Sequence, residues 1–263
     1  MIIAQITDLH ITLPGQPLQR RVDTGRYLIK AVGKLRALDP PPDILIISGD
    51  LVESGTGDEY AYLRSLLAPL LLPIYVIPGN HDEREAMRRG FSDHAYLPQQ
   101  GFMHYVIDDY PVRLIGLDTV IARKTEGEMC TERLSWLDTV LHQESAKPTL
   151  IFMHHPPFVT GIAHMDAWGF RNPEDLAKVI RQHPQVECII CGHVHRPIQS
   201  RFAGAVALTC PSTAHQIDFD LRPDAPVAFI MEPPGLMLHI WNGLTIATHT
   251  LYTECYEGPY AYT

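Results

Sequence analysis

The segment IYVIPGNHD, residues 74–82, passes from an apolar, β-branched run directly into a glycine and three polar side chains. The same transition recurs along the chain, with IIAQIT before Asp8, DILIIS before Gly49, VRLIGL before Asp118, TLIFM before His154 and VECIIC before Gly192. Continuous apolar runs of this length are typical of strands that are buried on both faces. The pattern therefore predicts several buried strands, each of which ends in a polar loop.

Helical patterns lie between these runs. Thr56 and Glu59 form a candidate capping box ahead of an amphipathic stretch. Asn172 is a candidate N-cap, and Pro173 stands at the first helical position after it. Leucines recur at helical spacing within residues 134–141. The alternation of strand and helix predicts an α/β protein in which helices cover a sheet or a pair of sheets.

Composition narrows the class of protein. The 263-residue chain carries 21 Lys and Arg against 30 Asp and Glu, a formal charge of −9, and 46% of it is hydrophobic. These values exclude a disordered or fibrous protein and provide enough chain for one large core. An acidic chain without a basic patch is not expected to bind nucleic acid. The start of the chain shows no basic leader, and no apolar run reaches the ~20 residues of a membrane span, so we expect a cytoplasmic protein.

Five cysteines are few for this length, and two of them, Cys188 and Cys191, form a CxxC within a strand-like run. The alternatives are buried strand cysteines or a redox or zinc pair. Residues three apart on a strand point to opposite faces, so they cannot close one ring or share one metal. We therefore expect buried cysteines, also because the sequence has no second CxxC that would complete a tetrahedral zinc site.

The last part of the chain has a different pattern. After about residue 197, strand-like segments are separated by proline-rich stretches. We expect residues 1–263 to form one domain, in which residues 197–263 supply edge strands and a β-rich arm or cap; a separate second domain is the alternative. Apolar strands without a covering helix need a partner, so we expect the arm to support a homo-oligomer.

Polar clusters follow the predicted strands, at the place where α/β folds put their binding sites. They contain Asp8, His10, Asp50, Asn80, His154, His193 and His195. Nitrogen and oxygen donors without a thiolate suit Mn, Fe, Co or Zn in catalytic sites. Seven donors are too many for one ion, and two ions close together need a bridging carboxylate. Asp50 is the natural bridge, because it lies alone in its loop.

Two pairs of these donors have the same spacing. Asp8 and His10 are two residues apart, so at the end of a strand their side chains would point the same way and chelate one ion. His193 and His195 repeat the spacing, although their loop could direct them to two different ions.

The order D-x-H, G-D, G-N-H-D, H-x-P, G-H-x-H across residues 8–195 resembles the calcineurin-like metallophosphoesterase superfamily. The flanking IPGNHD, IFMHHPP and CGHVH segments are most similar to bacterial class III cyclic nucleotide phosphodiesterases and glycerophosphodiesterases. This resemblance implies an αββα sandwich with a binuclear metal site. It assigns one ion to Asp8, His10, Asp50 and His195, and the other to Asp50, Asn80, His154 and His193. His155 would then be a packing neighbour of the site.

Two further histidines acquire roles only through the resemblance. His81 would contact the phosphoryl group or the leaving oxygen; alternatively, it is a helix-start residue paired with Asp82. His215 resembles a second substrate-side histidine of the glycerophosphodiesterases. His164 is interpreted as a loop residue, and Asp118 as a loop cap beside the same edge of the sheet.

One loop departs from the pattern of these phosphodiesterases. Gln19, Arg20 and Arg21 stand where aromatic residues are expected. The alternatives are a solvated charge pair at a helix start, or an Arg21 that reaches the mouth of the pocket and favours substrates with an additional anionic group.

These observations predict a metal-dependent phosphodiesterase acting on small diesters, either glycerophosphodiesters or cyclic nucleotides, by attack of a metal-bridging hydroxide. Two divalent ions, two aspartates and a bridging hydroxide together keep a single positive charge, which a singly charged diester would neutralise, and the amide of Asn80 preserves that charge. The alternatives are a phosphomonoesterase or a nuclease on the same site. A non-catalytic interaction protein, like the retromer subunit with this fold, would not need every ligand position to be filled.

Overall fold

The computed structural model describes residues 1–262, which form two large sheets flanked by helices and two short two-stranded sheets. The helices are α1 (Thr24–Arg36), α2 (Gly57–Leu67), α3 (Arg84–Gly90), α4 (Thr131–Gln143), α5 (Ala163–Ala167) and α6 (Pro173–Ile180). The strands up to residue 191 are β1 (Ile2–Ile6), β2 (Ile44–Ser48), β3 (Ile74–Ile77), β4 (Tyr105–Ile107), β5 (Arg113–Leu117), β6 (Gly127–Glu128), β7 (Thr149–Met153), β8 (Phe170–Arg171) and β9 (Val186–Cys191). Those that follow are β10 (Ile198–Phe202), β11 (Ala205–Thr209), β12 (Gln216–Ile217), β13 (Phe229–Ile230), β14 (Gly235–Trp241) and β15 (Ile246–Tyr252).

The first sheet has five strands in the order β15-β14-β1-β2-β3. Its strands β1, β2 and β3 are parallel, and β14 and β15 extend it antiparallel to β1. The second sheet has six strands in the order β10-β11-β9-β7-β5-β4. Its central strands β5, β7, β9 and β11 are parallel, and the two edge strands are antiparallel. The segment after residue 197 thus adds strands to both sheets.

The side chains of β7 show how the layers stack. Leu150 and Phe152 belong to the core that also contains the first sheet and helices α1 and α2. Ile151 and Met153 point the other way and pack with apolar residues of α4 and α6. Gly116 of β5 lies against Ile77 of the first sheet, so the two sheets are in direct contact. The order of layers is helix, sheet, sheet, helix, and the predicted αββα sandwich is confirmed.

The cysteines of β9 follow the same alternation. Cys188 faces the core between the sheets, whereas Cys191 packs in the core beneath α4 and α6. Both thiols are free and buried, and burial raises the pKa of Cys188 to about 12. The two residues cannot act as a pair, as their spacing on a strand predicts.

Helix starts agree with the sequence signals, with one exception. Thr56 and Glu59 form a reciprocal capping box at the start of α2. Asn172 does precede α6, but it is in the left-handed conformation and its side chain makes no capping hydrogen bond. The N-cap position was correct and the expected side-chain contact was wrong. None of the helices within residues 1–262 combines the length and the apolarity needed to cross a bilayer.

Candidate metal centre

Five strands deliver polar loops to one end of the sandwich. Three of them, β1, β2 and β3, are neighbours in the first sheet, and the other two, β7 and β9, are neighbours in the second. The loops after them carry all the predicted ligands, namely Asp8, His10, Asp50, Asn80, His154, His193 and His195. The seven side chains meet where the carboxyl ends of both sheets face each other.

The first group of donors surrounds Asp8. Nε2 of His195 lies 3.6 Å from Oδ1 of Asp8 and 3.2 Å from Nε2 of His10. Asp8 and His195 come from different sheets, and all three side chains are buried. Their ligand atoms are near enough to one another to surround a single cation.

The second group of donors surrounds Asn80. Oδ1 of Asn80 lies 3.2 Å from Nε2 of His154 and 3.0 Å from Nδ1 of His193. His193 and His195 therefore belong to different groups, so their loop does separate them. Oδ2 of Asp50 lies between the groups, 3.5 Å from Nε2 of His10 and 3.3 Å from Nε2 of His154.

The backbone of these loops is unusual. Asp8, His10, Asp50, His193 and His195 all have positive φ, between 44° and 69°. Non-glycine residues rarely adopt this left-handed region, and such strain concentrates at functional sites. We expected the side chains of Asp8 and His10 to point the same way because both end a strand. They do lie in the same group of donors, but the reason is different. The strand stops at Ile6, and two left-handed residues bring the side chains to the same group.

Each histidine of the cluster has one ring nitrogen directed at an oxygen acceptor outside the cluster. Nδ1 of His154 donates to the Ser48 carbonyl and Nδ1 of His195 to the His215 carbonyl. In His193 the order is reversed, since Nε2 donates to the carbonyl of Trp168. In each ring the opposite nitrogen faces the cluster, where a metal ion would take the place of a proton. Such contacts fix the tautomer and the orientation of metal-binding imidazoles.

Glu53 provides the corresponding oxygen acceptor for His10. The sequence did not single out this residue. Its Oε2 accepts a hydrogen bond of 2.8 Å from Nδ1 of His10. Glu53 follows Asp50 by three residues, and this position alone does not distinguish an orienting carboxylate from a solvated one. The donor set, with four oriented imidazoles, two carboxylates and one amide, fits divalent transition-metal ions.

The pKa values show how the buried charges balance. Burial raises the pKa of Asp8 to about 6, against the lowering effect of the His154 charge. Burial also acts on Asp50, but the His154 charge holds its pKa well below the usual value. Burial opposes the charge of His10, yet its hydrogen bond to Glu53 and the nearby carboxylates raise its pKa to about 9. The same buried carboxylates that favour protonation of the adjacent imidazoles would also favour binding of a divalent cation.

The two other predicted site histidines flank the cluster. Nδ1 of His81 donates to the Glu53 carbonyl at 2.9 Å, and its ring lies edge-on to His10 at 4.6 Å between centroids. Asp82 does not pair with His81, because its carboxylate binds the Tyr60 hydroxyl and two backbone N–H groups. His215 packs on His195 at 4.7 Å between ring centroids. Burial lowers the pKa of His215 to about 3.

A cavity of about 410 Å³ opens over the cluster. Its floor includes both His81 and His215. Its walls are mainly apolar, with Leu18, Met165, Trp168, Ile217, Val227 and Phe229. Part of this wall comes from the β12–β13 segment, so the C-terminal region covers the site of its own chain. Among residues 1–262, the side chains lining this cavity include no lysine or arginine.

Arg21 does not line this cavity. It is exposed, in a turn closed by backbone pairing of Leu18 with Val22, and helix α1 begins only at Thr24. Gln19 of the same turn does line the cavity. Arg21 is thus solvated, as one alternative predicted, although in a turn and not at a helix start.

The remaining polar residues near this edge have structural contacts. His155 bonds the Thr119 hydroxyl and the Thr125 carbonyl, which makes it a buried packing neighbour of the site. Asp118 accepts two hydrogen bonds from Arg84 and further ones from backbone N–H groups, so it caps its loop. Both ring nitrogens of His164 are buried and without a partner in the described chain, contrary to the interpretation of a solvated loop residue.

Comparison with known proteins agrees with this geometry. Residues 1–197 match the model of the calcineurin-like phosphoesterase family. A probable glycerophosphodiester phosphodiesterase of Arcobacter nitrofigilis is 39% identical over 266 residues, which cover 100% of this chain and 97% of that protein. A probable cyclic nucleotide phosphodiesterase of Synechococcus is 34% identical over 235 residues, covering 89% of this chain and 88% of that one.

Solved structures show the same fold. A dimetal phosphatase from Danio rerio superposes with a TM-score of 0.62 at 18% identity, covering 96% of this chain and 99% of that chain. The family model covers all the predicted ligands, from Asp8 to His195. The family predicted from the motif order is confirmed, and the chain belongs to the calcineurin-like phosphoesterases.

Proposed function

We propose that this chain hydrolyses small phosphodiesters at a binuclear centre of divalent transition-metal ions, Mn, Fe, Co or Zn. The observation that carries the proposal is the convergence of two donor groups on the carboxylate of Asp50. One ion would be held by Asp8, His10, Asp50 and His195, and the other by Asp50, Asn80, His154 and His193. When bound, such ions supply Lewis-acid charge to a phosphoryl group and lower the pKa of an attacking water.

The substrate class follows from the cavity and from the relatives. The cavity is lined by five of the seven donors, all but the fully buried Asp8 and His154, and by Glu53. Within residues 1–262 its lining includes no lysine or arginine that would bind the second charge of a monoester. The apolar walls of the cavity favour contact with the organic groups of a small ester over contact with water. The relatives are named for glycerophosphodiesters and cyclic nucleotides, and both are small phosphodiesters.

His81 and His215 would act on the substrate from the floor of the cavity. Because Nδ1 of His81 is bound to the Glu53 carbonyl, its Nε2 remains available to a phosphoryl or leaving-group oxygen. His215 lines the same cavity beside Phe229, with ring centroids 5.2 Å apart. It would contact the ester group on the side of the β12–β13 segment.

Hydrolysis of model esters tests the proposal directly. Protein stripped of metal and supplied with Mn²⁺ or Co²⁺ should cleave bis(p-nitrophenyl) phosphate faster than p-nitrophenyl phosphate. Cleavage of neither ester would refute the enzymatic function and favour an interaction protein. A much faster monoester reaction would show that the charge argument is wrong and that the enzyme is a phosphomonoesterase.

The same proposal treats residues 1–263 as one cytoplasmic domain that assembles with copies of itself. Within residues 1–262, strand β15 is an edge strand of the first sheet, and the exposed side chains after it include Tyr256 and Tyr260. Sedimentation velocity should show a species larger than a monomer. A monomer at all protein concentrations would remove the oligomer from the proposal.

A further inference from the structure

A second group of metal-ligating side chains lies in the outer helical layer. Asp138 and His142 are four residues apart on α4, so they share one face of the helix. His183 follows α6, in a turn closed by its N–H bonding the Ile180 carbonyl. We propose that Asp138, His142 and His183 form a site for one divalent ion of the zinc, cobalt, nickel or copper class.

The distances between the donors fit such an ion. Oδ1 of Asp138 lies 2.8 Å from Nε2 of His183 and 3.4 Å from Nδ1 of His142. Tetrahedral ligands at zinc–ligand distances of ~2.0–2.1 Å stand ~3.3 Å from one another. The three donor atoms all lie within 4.8 Å of one another. Small side-chain rotations are therefore enough to close the ligand set around one ion.

The chemistry of the donors selects the class of ion. Two imidazoles and one carboxylate suit zinc and its neighbours, whereas calcium and magnesium prefer sites made of oxygen alone. The carboxylate offsets part of the charge of a divalent ion. Three protein ligands leave one tetrahedral position, which water would fill because His142 is exposed.

An ordinary ion pair explains only part of this arrangement. Asp138 and His183 would form such a pair by themselves, and His183 is buried with 3% of its side chain exposed. The pair gives no role to His142, whose ring lies edge-on to that of His183 with centroids 4.6 Å apart. Nδ1 of His142 also lies 2.9 Å from the Asp138 carbonyl oxygen. Because 65% of the His142 side chain is exposed, the ring can exchange this contact for a metal ion.

The position of the group separates it from the catalytic cavity. Helices α4 and α6 pack on the outer face of the second sheet, and none of the three residues lines the cavity over Asp50. An ion at this site would connect α4 to the turn after α6. Its effect is expected on the stability of the outer layer and not on the chemical step.

Zinc stoichiometry tests the site. Wild-type protein and the His142→Ala variant are dialysed against Zn²⁺, and bound zinc is measured by mass spectrometry. The variant should bind one equivalent less than wild type, and its hydrolysis of bis(p-nitrophenyl) phosphate with Mn²⁺ should change less than twofold. Since His142→Ala leaves all seven donors of the other centre in place, the difference reports this site alone. Equal zinc binding by the two proteins would overturn the proposal.

Two further variants distinguish the metal site from an ion pair. Asp138→Asn keeps the shape of the side chain but loses the charge, and it should also lose one equivalent of zinc. His249→Ala removes an exposed histidine of β15 and should keep the wild-type number. Added to manganese-loaded protein, Zn²⁺ should raise Tm by ~5 °C in wild type and His249→Ala, and not in the other two variants. An equal rise in all four proteins would show that zinc stabilises the protein elsewhere, and a rise in none would leave Asp138 and His183 as a simple pair; either result would overturn the proposal.

Discussion

Oδ2 of Asp50 lies 3.3 Å from Nε2 of His154, and this contact crosses between the two sheets. Asp50 follows a strand of the five-stranded sheet, whereas His154 follows a strand of the six-stranded sheet. The same carboxylate oxygen lies 3.5 Å from Nε2 of His10. Asp50 is therefore the place at which both groups of donors meet, and the proposed function depends on it more than on any other side chain.

Replacing Asp50 should disable both metal positions together. We expect Asp50→Ala to lose both proposed ions and to reduce hydrolysis of bis(p-nitrophenyl) phosphate by at least ~10³-fold, as expected when charge stabilisation of the transition state is removed. Metal analysis and steady-state kinetics measure the two effects. Full activity in Asp50→Ala would contradict the bridging role.

His81 should affect turnover without affecting metal content. Its ring borders the cavity and bonds the Glu53 carbonyl, and it is not one of the proposed ligands. His81→Ala should lower kcat by ~10²-fold, the usual size of a lost proton-transferring or hydrogen-bonding group. Bound metal, measured in the same preparation, should remain at the wild-type level. Loss of metal in this variant would show that His81 has a structural role.

Glu53 should act on metal affinity through His10. The hydrogen bond of 2.8 Å from Nδ1 of His10 to Glu53 fixes the ring. Loss of an orienting carboxylate behind a metal-binding histidine typically weakens the metal by ~10–100-fold. Glu53→Gln should show this loss in competition with a chelator. Glu144→Gln, at an exposed position after α4, is the matched control and should bind metal like wild type.

The donors could be predicted from sequence because each stands directly after a recognisable strand. Parallel strands of one sheet end at the same edge, so Asp8, Asp50 and Asn80 follow from strand order alone. His154 and His193 required a second sheet facing the first, which the strand pattern left as one of two alternatives and the family resemblance implied. Local patterns do not encode how two sheets stack.

Other features were outside the reach of sequence reasoning. The left-handed conformations of Asp8 and His10 depend on backbone bonds to the loop after β2, such as Leu9 N–H to the Asp50 carbonyl. The contact between Glu53 and His10 likewise joins residues 43 apart in the chain. Arg21 could not be placed because its turn precedes the helix and carries no cap signal of its own.

A methyl group at Gly49 should displace His154. Gly49 has a φ of +96°, and a Cβ there would stand 2.3 Å from Nδ1 of His154. Gly49→Ala should therefore lower both Tm and the amount of bound metal, as seen by calorimetry and metal analysis. Gly243→Ala is the control, because Gly243 also has a φ of +96° but a Cβ there meets no heavy atom within 4 Å. Equal losses of Tm and bound metal in the two variants would show that the close contact between Gly49 and the His154 ring does not position His154.

His239 should make stability sensitive to acid independently of the metal centre. It is fully buried on β14, where its Nε2 lies 3.0 Å from Oε1 of Gln5. Burial lowers its pKa from 6.5 to about 3, so the folded protein keeps the ring neutral while the unfolded chain takes up a proton below pH 6.5. The unfolded state then binds more protons, and stability falls as pH drops from about 6.5 towards 3, by at most ~1.4 kcal/mol per pH unit.

Substitution of His239 isolates its contribution to the pH dependence of stability. Urea unfolding of wild type and His239→Gln is compared between pH 7.5 and 4.5 in the presence of a chelator, so that metal binding does not contribute. The variant should lose less stability on acidification than wild type, whatever its stability at neutral pH, because glutamine does not titrate. His249→Gln, exposed on the neighbouring strand, should keep the wild-type slope. Identical slopes for wild type and His239→Gln would mean that His239 is protonated in the folded protein.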